Sequence, residues 1–491
     1  MIRPTYLSFS SGLISLAGEI LWMRLFGFVN YSTPKAVGFV LFAYLLGIAM
    51  GAALGKRYCS RLRDDELLQR SGYCLTLSGL AWVLLPWLFV LLPHGITQLI
   101  GGALIMIFSA AVLAVIFPIA HHLGVRGEVR MGKGFSSVYA ANVMGATLGP
   151  ILIGWVGLQW FTLQQCFILL ALAAFALAAR FLHHLKPRLS MLCIAFSIPI
   201  AVICLPLEPH ALIDLGSKQV IETRQGIIAV VEGGQEGDFV YGGNVYDGRT
   251  NLDGDINSNG IHRILITNVL KPRPQRVLVV GMSIGTWLTL ATAFEGVEHI
   301  DVIEINPGYK QAALAYPPQK HAMQDKRVNL VFDDARRWLR LHPEAKYDLI
   351  LMNTTWHWRA YSTLLLSQDF FRLVHQHLKP EGLVALNTTG SMDVAQTASQ
   401  VFPYIYKLNN FIYGSESDLQ PRLHQADAEM RLASIKVQGK DVFKPGSEMP
   451  REILQMPFLR IDPVAGALAG HEIITDDNML VEFRRGLSLL Q

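Results

Sequence analysis

The residues of this chain best suited to chemistry recur at intervals between positions 281 and 353. Gly281 and Gly285 bracket the turn Gly-Met-Ser-Ile-Gly-Thr, with Ser283 inside it, directly after an apolar run. Without side chains, such a turn lets a ligand reach the backbone where a helix begins. Glu304 closes the next apolar run and offers carboxylate oxygens to both hydroxyls of a ribose. Asp333 and Asp334 close the third run, where a carboxylate or its neighbouring backbone N–H groups can meet an adenine edge, and Asn353 closes the fourth, where a substrate would sit. Any one of these is commonly a turn or a helix cap, but four at consecutive strand ends point to a nucleoside. The turn is not G-x-G-x-x-G, which argues against a nicotinamide dinucleotide.

The elements that must position these groups follow from the pattern around them. "RVLVVG" reads as a buried strand, Thr286 to Phe294 as a helix, and "HIDVIEI" as a second strand. "RVNLVFDDARRWLR" supplies strand, acidic turn and helix, "YDLILMN" another strand, and "QDFFRLVHQHLKPEGLVALNT" a helix, a turn and a strand. This alternation predicts a doubly wound parallel sheet of Rossmann-like α/β type, which binds ligands beyond the carboxyl ends of its strands. Ahead of it, "GIIAVVE" and "DFVYGGNVYDG" predict a small antiparallel sheet.

The first 206 residues are different in kind. The chain is 51% apolar and only 16% charged, and nearly all the long apolar runs precede residue 207. Seven runs approach the length of a membrane span, about 20 residues: 6–29, 34–54, 73–93, 96–120, 136–157, 161–182 and 189–206. "LPHG" (92–95) and "LQW" (158–160) read as tight turns between spans. The expected organisation is a transmembrane helical domain (1–206), a small β-rich subdomain (207–270) and a nucleoside-binding domain (271–491). "GIAMGAALG" and "GATLG" place Gly47, Gly51, Gly55, Gly145 and Gly149 at the spacing that lets helices approach closely. Glu19, inside the first span, needs a partner or a cavity, and Arg24 is a candidate partner.

Loop charge predicts orientation. With a cytoplasmic N-terminus, Arg3, Lys56, Arg57, Arg61, Arg63, Arg70, Arg126, Arg130, Lys133, Arg180, Lys186 and Arg188 lie inside, and Lys35 alone lies opposite. Seven spans then put the globular domain outside the cytoplasm, in the periplasm of a bacterial-type inner membrane; an even count would return it to the cytoplasm. The N-terminus lacks a signal-peptide pattern. Cysteines 59, 74, 166, 193 and 204 all lie in the first part, leaving the globular part without a disulfide framework or a cysteine metal site. A net charge of +4 without a basic block excludes a nucleic-acid surface.

The order of motifs resembles the membrane-fused bacterial relatives of spermidine synthase, within the polyamine aminopropyltransferases. "SSGLISLAGEILWMRLFGFV", "FAYLLGIAMGAALGKR" and "VYAANVMGATLG" resemble their membrane half. "YDG" (246–248), "RVLVVG", "VIEINP", "YDLILMN", "LKPEGL" and "ITDDNMLVEF" (474–483) follow in family order. The resemblance implies a spermidine-synthase-type fold and the use of S-adenosylmethionine or its decarboxylated form, with methylthioadenosine as product. It also implies that Glu304 holds the ribose, that Asp334 and Ala335 lie near the adenine, and that Asn251 stands at the Gln of "DGxxQ". His262 stands at the His of "Y-H-E", where Ile261 and Arg263 replace its neighbours. Homodimers are common in the family.

Two positions depart from that pattern. Ile284 replaces the Asp of "GGGDGG" that holds the aminopropyl amine, and Asn353 replaces the first Asp of the strand-four motif, which helps deprotonate the attacking amine. An amide can position a nucleophile but cannot take its proton. The replacement stretch "NTTWHWRAYSTLLLSQDF" carries His357, Arg359 and Tyr361 between and beside Trp356 and Trp358. It reads either as a cationic, aromatic lip for an anionic or lipid-linked acceptor, with Asn353, His357, Arg359 and Tyr361 as catalytic candidates, or as a structured lid. "DGDINSNG" (253–260) resembles the start of a calcium loop, but Ser258 and Ile264 stand where Gly and Glu are required. A polar loop is expected there, and no metal. Two functions follow: a membrane-integrated transferase moving an aminopropyl or methyl group to an acceptor, or a lapsed module that binds a nucleoside or polyamine as a sensor or scaffold.

Overall fold

The computed structural model describes residues 4–126, 131–183, 185–204, 216–354, 356–462 and 468–484. The chain divides into a helical unit, up to Leu215 and including Glu222–Arg224, and a second unit from Gln225 to Arg485 that also takes in Gly216–Ile221. The expected junction at residue 206, and Arg3 and Arg130 of the charge count, lie outside the described residues.

Among the described residues of the helical unit six helices are long and apolar enough to cross a membrane: Pro4–Val29, Pro34–Cys59, Asp64–Leu91, Ile96–Val125, Gly132–Trp160 and Leu163–Leu182. The seventh apolar run forms the shorter helix Pro187–Cys204. Large apolar side chains such as Phe42, Met50 and Trp155 are exposed on this unit. The glycine rows act by close approach. A Cβ on Gly47, Gly51 or Gly55 would stand 2.4, 2.1 or 2.5 Å from the carbonyl oxygens of Ile107, Ala111 and Val115. Gly145 and Gly149 meet Phe9 and Leu13 in the same way.

"LQW" is not a turn. The helix runs through a π-helical stretch, Leu152–Gly157, and on through Leu158–Trp160. It gives way at Thr162, which caps the next helix by accepting from the Gln165 N–H while the Gln165 side chain accepts from the Thr162 N–H. Glu19 is buried, but Arg24 turns elsewhere, donating to the backbone carbonyls of Arg224 (3.1 Å) and Thr223.

The second unit opens with a four-stranded sheet, β1 (Gln219–Thr223), β2 (Gly226–Val231), β3 (Phe239–Gly242) and β4 (Val245–Arg249), in that order. Gly243 and Asn244 join β3 to β4 with φ of 57° and 65°, the left-handed pair that a two-residue hairpin turn requires. The main sheet contains β5 (Arg276–Val280), β6 (His299–Glu304), β7 (Val328–Phe332), β8 (Tyr347–Met352), β9 (Leu378–Asn387), β10 (Tyr404–Leu408) and β11 (Phe411–Ser415). After a two-stranded hairpin, β12 (Lys436–Val437) and β13 (Lys440–Asp441), the short β14 (Leu459–Arg460) completes it. Its order is β14-β10-β11-β9-β8-β5-β6-β7.

Five neighbouring strands, β9 to β7 in that order, are parallel. The edge formed by β11, β10 and β14 is antiparallel, so the sheet is mixed where the sequence pattern suggested a parallel one. "LNNFIY" explains the change: Asn409 and Asn410 reverse the chain in two residues, too few for a parallel crossover. Strand residues alternate between two cores. Val277, Val279, Leu349 and Leu351 enter one, and Leu278, Val280, Ile350 and Met352 enter the other. Both faces are therefore covered. From β5 the chain builds outward through β6 and β7, then crosses back to β8 on the other side of β5. That reversal is the switch point at which open α/β sheets bind ligands.

Candidate active site

The groups singled out in the sequence converge on this switch point. After β5, the Gly281 N–H donates to the Ile303 carbonyl (2.9 Å), and after β8 the Asn353 N–H donates to the Val280 carbonyl (3.0 Å). Gly281 has φ of 83°, and a Cβ there would lie 2.5 Å from the Asn353 carbonyl oxygen, so this position excludes any side chain. Ser283 (φ 48°) and Gly285 (φ 86°) are also left-handed. The resulting turn aims backbone N–H groups at Glu304. One carboxylate oxygen accepts from Met282 (2.7 Å) and Ser283 (3.3 Å), and the other from Asn306 (2.9 Å). Burial pushes the Glu304 carboxyl up to about 7 despite these donors, and the charge of Asp247 pushes it the same way.

A cavity of about 230 Å³ lies over the strand ends. The turn contributes Met282, Ser283 and Ile284, the segment after β8 contributes Asn353, Thr354 and Trp356, and the small sheet contributes Tyr246 to Arg249. Asn259, Arg263, Thr286, Trp287, Asn387, Thr389 and Asn410 complete its wall. One side of that wall is a relay of amides. Asn387 donates to the Asn353 side-chain oxygen (3.4 Å), Asn410 donates to that of Asn387 (2.8 Å), and Arg263 Nη1 donates to that of Asn410 (2.7 Å). Asp247 is the carboxylate in the wall. Burial raises its pKa, against hydrogen bonds from Tyr309 and Ser283 and the nearby charge of Arg359.

The residues expected to do chemistry separate into three groups. Asn353 and Ser283 line the cavity, while Gly281, Gly285 and Glu304 form and brace the turn behind it. The rest do not line it. Asp334 caps the helix Ala335–Leu341, accepting from the Arg337 N–H (2.8 Å), and Ala335 is that helix's first residue. Asn251 donates to Ser258 (2.9 Å) and accepts from the Asp253 N–H (2.9 Å) inside its own loop. His262 bonds Asn257 and Asn409 through its two ring nitrogens, both at 2.8 Å, and burial lowers its pKa to about 4.

The stretch after β8 is a pinned lid, with Trp356 as its contribution to the cavity. His357 Nδ1 bonds the Thr389 hydroxyl (2.7 Å), Arg359 donates to the Gly242 carbonyl (3.2 Å), and Tyr361 is 70% exposed with its N–H on Glu482 (2.9 Å). Glu482 also accepts from the Thr363 N–H (2.9 Å) and hydroxyl (2.6 Å), so the terminal "ITDDNMLVEF" motif clamps the lid. The lip of His357, Arg359 and Tyr361 expected from sequence does not line this cavity: His357 and Arg359 bond to the surrounding fold, and the Tyr361 side chain stays exposed. In the loop 253–260, the Asp253 carboxylate takes the Asp255 and Ile256 N–H groups, and Asp255 takes the Lys444 N–H and the Ser447 hydroxyl. It is a polar turn.

Sequence reasoning passed over Asp247, Arg263, Asn387 and Asn410 as site residues. Asp247 lay within the quoted "YDG", and Asn387 ends β9 just as Asn353 ends β8, so the rule of strand ends would have found it. Arg263 was visible only as a departure from "Y-H-E".

Residues 263–408 match the spermine/spermidine synthase domain. Polyamine aminopropyltransferase 2 of Streptomyces coelicolor is 30% identical over 156 residues, which cover 31% of this chain and 28% of the relative. The polyamine aminopropyltransferase of Corynebacterium efficiens is 24% identical over 414 residues, 81% of this chain and 77% of the relative. The chain spans about a third or less of the length of three such relatives, the Streptomyces enzyme among them. A solved spermidine synthase in complex with the transition-state analogue AdoDATO is 16% identical with a TM-score of 0.40, covering 49% of this chain and 85% of that one.

Proposed function

We propose, from the match of residues 263–408 to the spermine/spermidine synthase domain, that the chain is a membrane-integrated transferase that uses S-adenosylmethionine or its decarboxylated form and passes an aminopropyl or methyl group to an acceptor. One observation carries this reading: a single cavity at the sheet's switch point is bordered by both the glycine turn and Asn353. The residues present fit a nucleoside. A carboxylate has about four acceptor positions, and the protein uses three of those on Glu304, leaving room for a ribose hydroxyl. When bound, the sulfonium nucleoside supplies an electrophilic carbon beside a positively charged sulfur.

The chain's own residues supply position and a proton acceptor. Met282 and Ile284 give the reacting carbon an apolar floor, and the Asn353 amide orients a nucleophile across from it. Neither Ile284 nor Asn353 can accept a proton, so that task falls to Asp247, the carboxylate among the described lining residues, whose raised pKa suits a base. Calorimetric titration with S-adenosylmethionine, its decarboxylated form and methylthioadenosine tests the reading, with Glu304→Ala as control. No binding by any of the three, or binding unaffected by the substitution, overturns it. The lost acids at Ile284 and Asn353 favour a second reading, a nucleoside-binding sensor; tight binding without turnover of any acceptor would establish it.

The helix Pro187–Cys204 has 18 residues, about 27 Å at 1.5 Å per residue, close to the hydrocarbon thickness of about 30 Å. We count it as the seventh span, which with the loop charges puts the second unit outside the cytoplasm. A reporter fused after Gln491 tests this, and a cytoplasmic signal sinks the seven-span count. An outside location requires the nucleoside to reach that side of the membrane.

A further inference from the structure

The acceptor side of the cavity holds a cation without a counter-ion. Arg263 lines it, and its guanidinium is seated wholly on neutral acceptors: the Gly260 carbonyl (2.8 Å, from Nε), the Asn259 carbonyl (2.8 Å, from Nη2) and the Asn410 side-chain oxygen (2.7 Å, from Nη1). It stacks on Phe411 at 4.9 Å and has no carboxylate within ion-pair distance among the described residues. The seat is built for it. Gly260 has φ of 59°, and a Cβ there would come within 2.7 Å of Arg263 Nη2.

The other charges of the wall are already matched. Arg249 is paired with Glu236 and lies 3.9 Å over the Phe239 ring. Asp247 is held by Tyr309 and Ser283 and faces the charge of Arg359. A guanidinium carries five N–H donors, and these three bonds leave two to meet a ligand. A half-buried cation is costly unless its charge is answered, and among the described residues no carboxylate answers it, so an anionic occupant of the cavity would. A polycation would meet Arg263 as a like charge.

We propose that this cavity takes a small acceptor bearing both an amine and a carboxylate, with the carboxylate on Arg263 and the amine toward Asn353 and Asp247. The amine–carboxylate assignment rests on the transferase reading; the seating of an anion on Arg263 does not. A planar carboxylate matches two donors of a fixed guanidinium fork. Trp356 and Tyr246 would flank its hydrocarbon portion.

The test uses the full chain in nanodiscs and competition calorimetry with 4-aminobutanoate, its uncharged amide, 1,4-diaminobutane and inorganic phosphate. We expect 4-aminobutanoate to bind, the amide and the diamine to bind at least tenfold more weakly, and Arg263→Gln to weaken 4-aminobutanoate by roughly 10- to 100-fold, as for a lost hydrogen-bonded charge. The proposal is overturned if the diamine binds as well as the carboxylate, if phosphate binds and carboxylates do not, or if nothing binds. Should Arg263→Gln fail to fold, the ranking of the four probes on the wild-type chain decides. Methylthioadenosine titrated into the same preparations reads the nucleoside half separately. Its failure with 4-aminobutanoate retained removes the transferase reading and leaves the anion site; the converse removes the anion site alone.

Discussion

If Glu304 receives a ribose hydroxyl as a carboxylate, nucleoside affinity must track its ionisation. The side chain is 4% exposed, and burial lifts its pKa from 4.5 to about 7, the Asp247 charge adding to the lift and three backbone donors opposing it. With a pKa of about 7, roughly nine-tenths of the groups are ionised at pH 8 and roughly one-tenth at pH 6. Affinity for methylthioadenosine should therefore fall about tenfold from pH 8 to pH 6, about 1.4 kcal/mol. The unliganded fold responds with its own sign. A raised carboxyl holds its proton in the native state at pH values where the unfolded chain has released it. Its contribution is then fully present below 4.5 and is lost as pH rises through about 7, about 3 kcal/mol in all. Ligand affinity is thus greatest where Glu304 costs the fold most. Calorimetry on the full chain in nanodiscs at pH 6, 7 and 8, beside Glu304→Gln, measures the first effect; the variant should bind weakly and without this pH dependence. A wild-type affinity that is flat across the range, or tight binding by the variant, would refute a ribose role and leave Glu304 as a brace for the glycine turn.

Other perturbations read the scaffold. Glu482→Ala leaves two backbone N–H groups and a hydroxyl without their acceptor, a local cost of roughly 3–6 kcal/mol. Hydrogen exchange at Tyr361 and Thr363 should accelerate by orders of magnitude, and unchanged protection would show that the lid is held by packing instead. Gly51→Leu drives a side chain into the Ala111 carbonyl, 2.1 Å from the position of its Cβ, whereas Gly38→Leu meets nothing within 4 Å. Thermal denaturation in detergent should show a loss of at least 1–3 kcal/mol for the first and almost none for the second; equal effects would contradict packing through the glycine row.

What could be read ahead of the structure was whatever depends on local pattern. The strands 276–280, 299–304 and 347–352 are short apolar runs buried on both faces, so their positions followed from composition alone. The glycine turn and Glu304 were legible because a strand end fixes where the next residues must go. The partners of the expected lip were not. His357, Arg359 and Tyr361 were adjacent in sequence, but their partners, Thr389, Gly242 and Glu482, are supplied from 32, 117 and 121 residues away. No local pattern reports such pairing. The antiparallel edge escaped for a related reason, because strand direction depends on the length of the connection and not on the residues of the strand.

Arg263 shows how these levels combine. Taken alone, its replacement of an acid in "Y-H-E" is one more departure from the pattern of polyamine aminopropyltransferases. In the fold it lies in the same cavity wall as Ile284 and Asn353, the two positions where that pattern carries acids. All three changes remove negative charge from one chamber, and the third adds positive charge. Random loss of acids would leave amides and hydrocarbon, without a cation seated on Gly260 and linked through Asn410 and Asn387 to Asn353. Each side-chain oxygen of the relay accepts a hydrogen bond, and such a row is expensive to assemble by accident, since one missing partner strands a buried polar group at a cost of about 1–3 kcal/mol. On the proposed transferase reading, the three changes fit a change of acceptor charge better than decay of an old site.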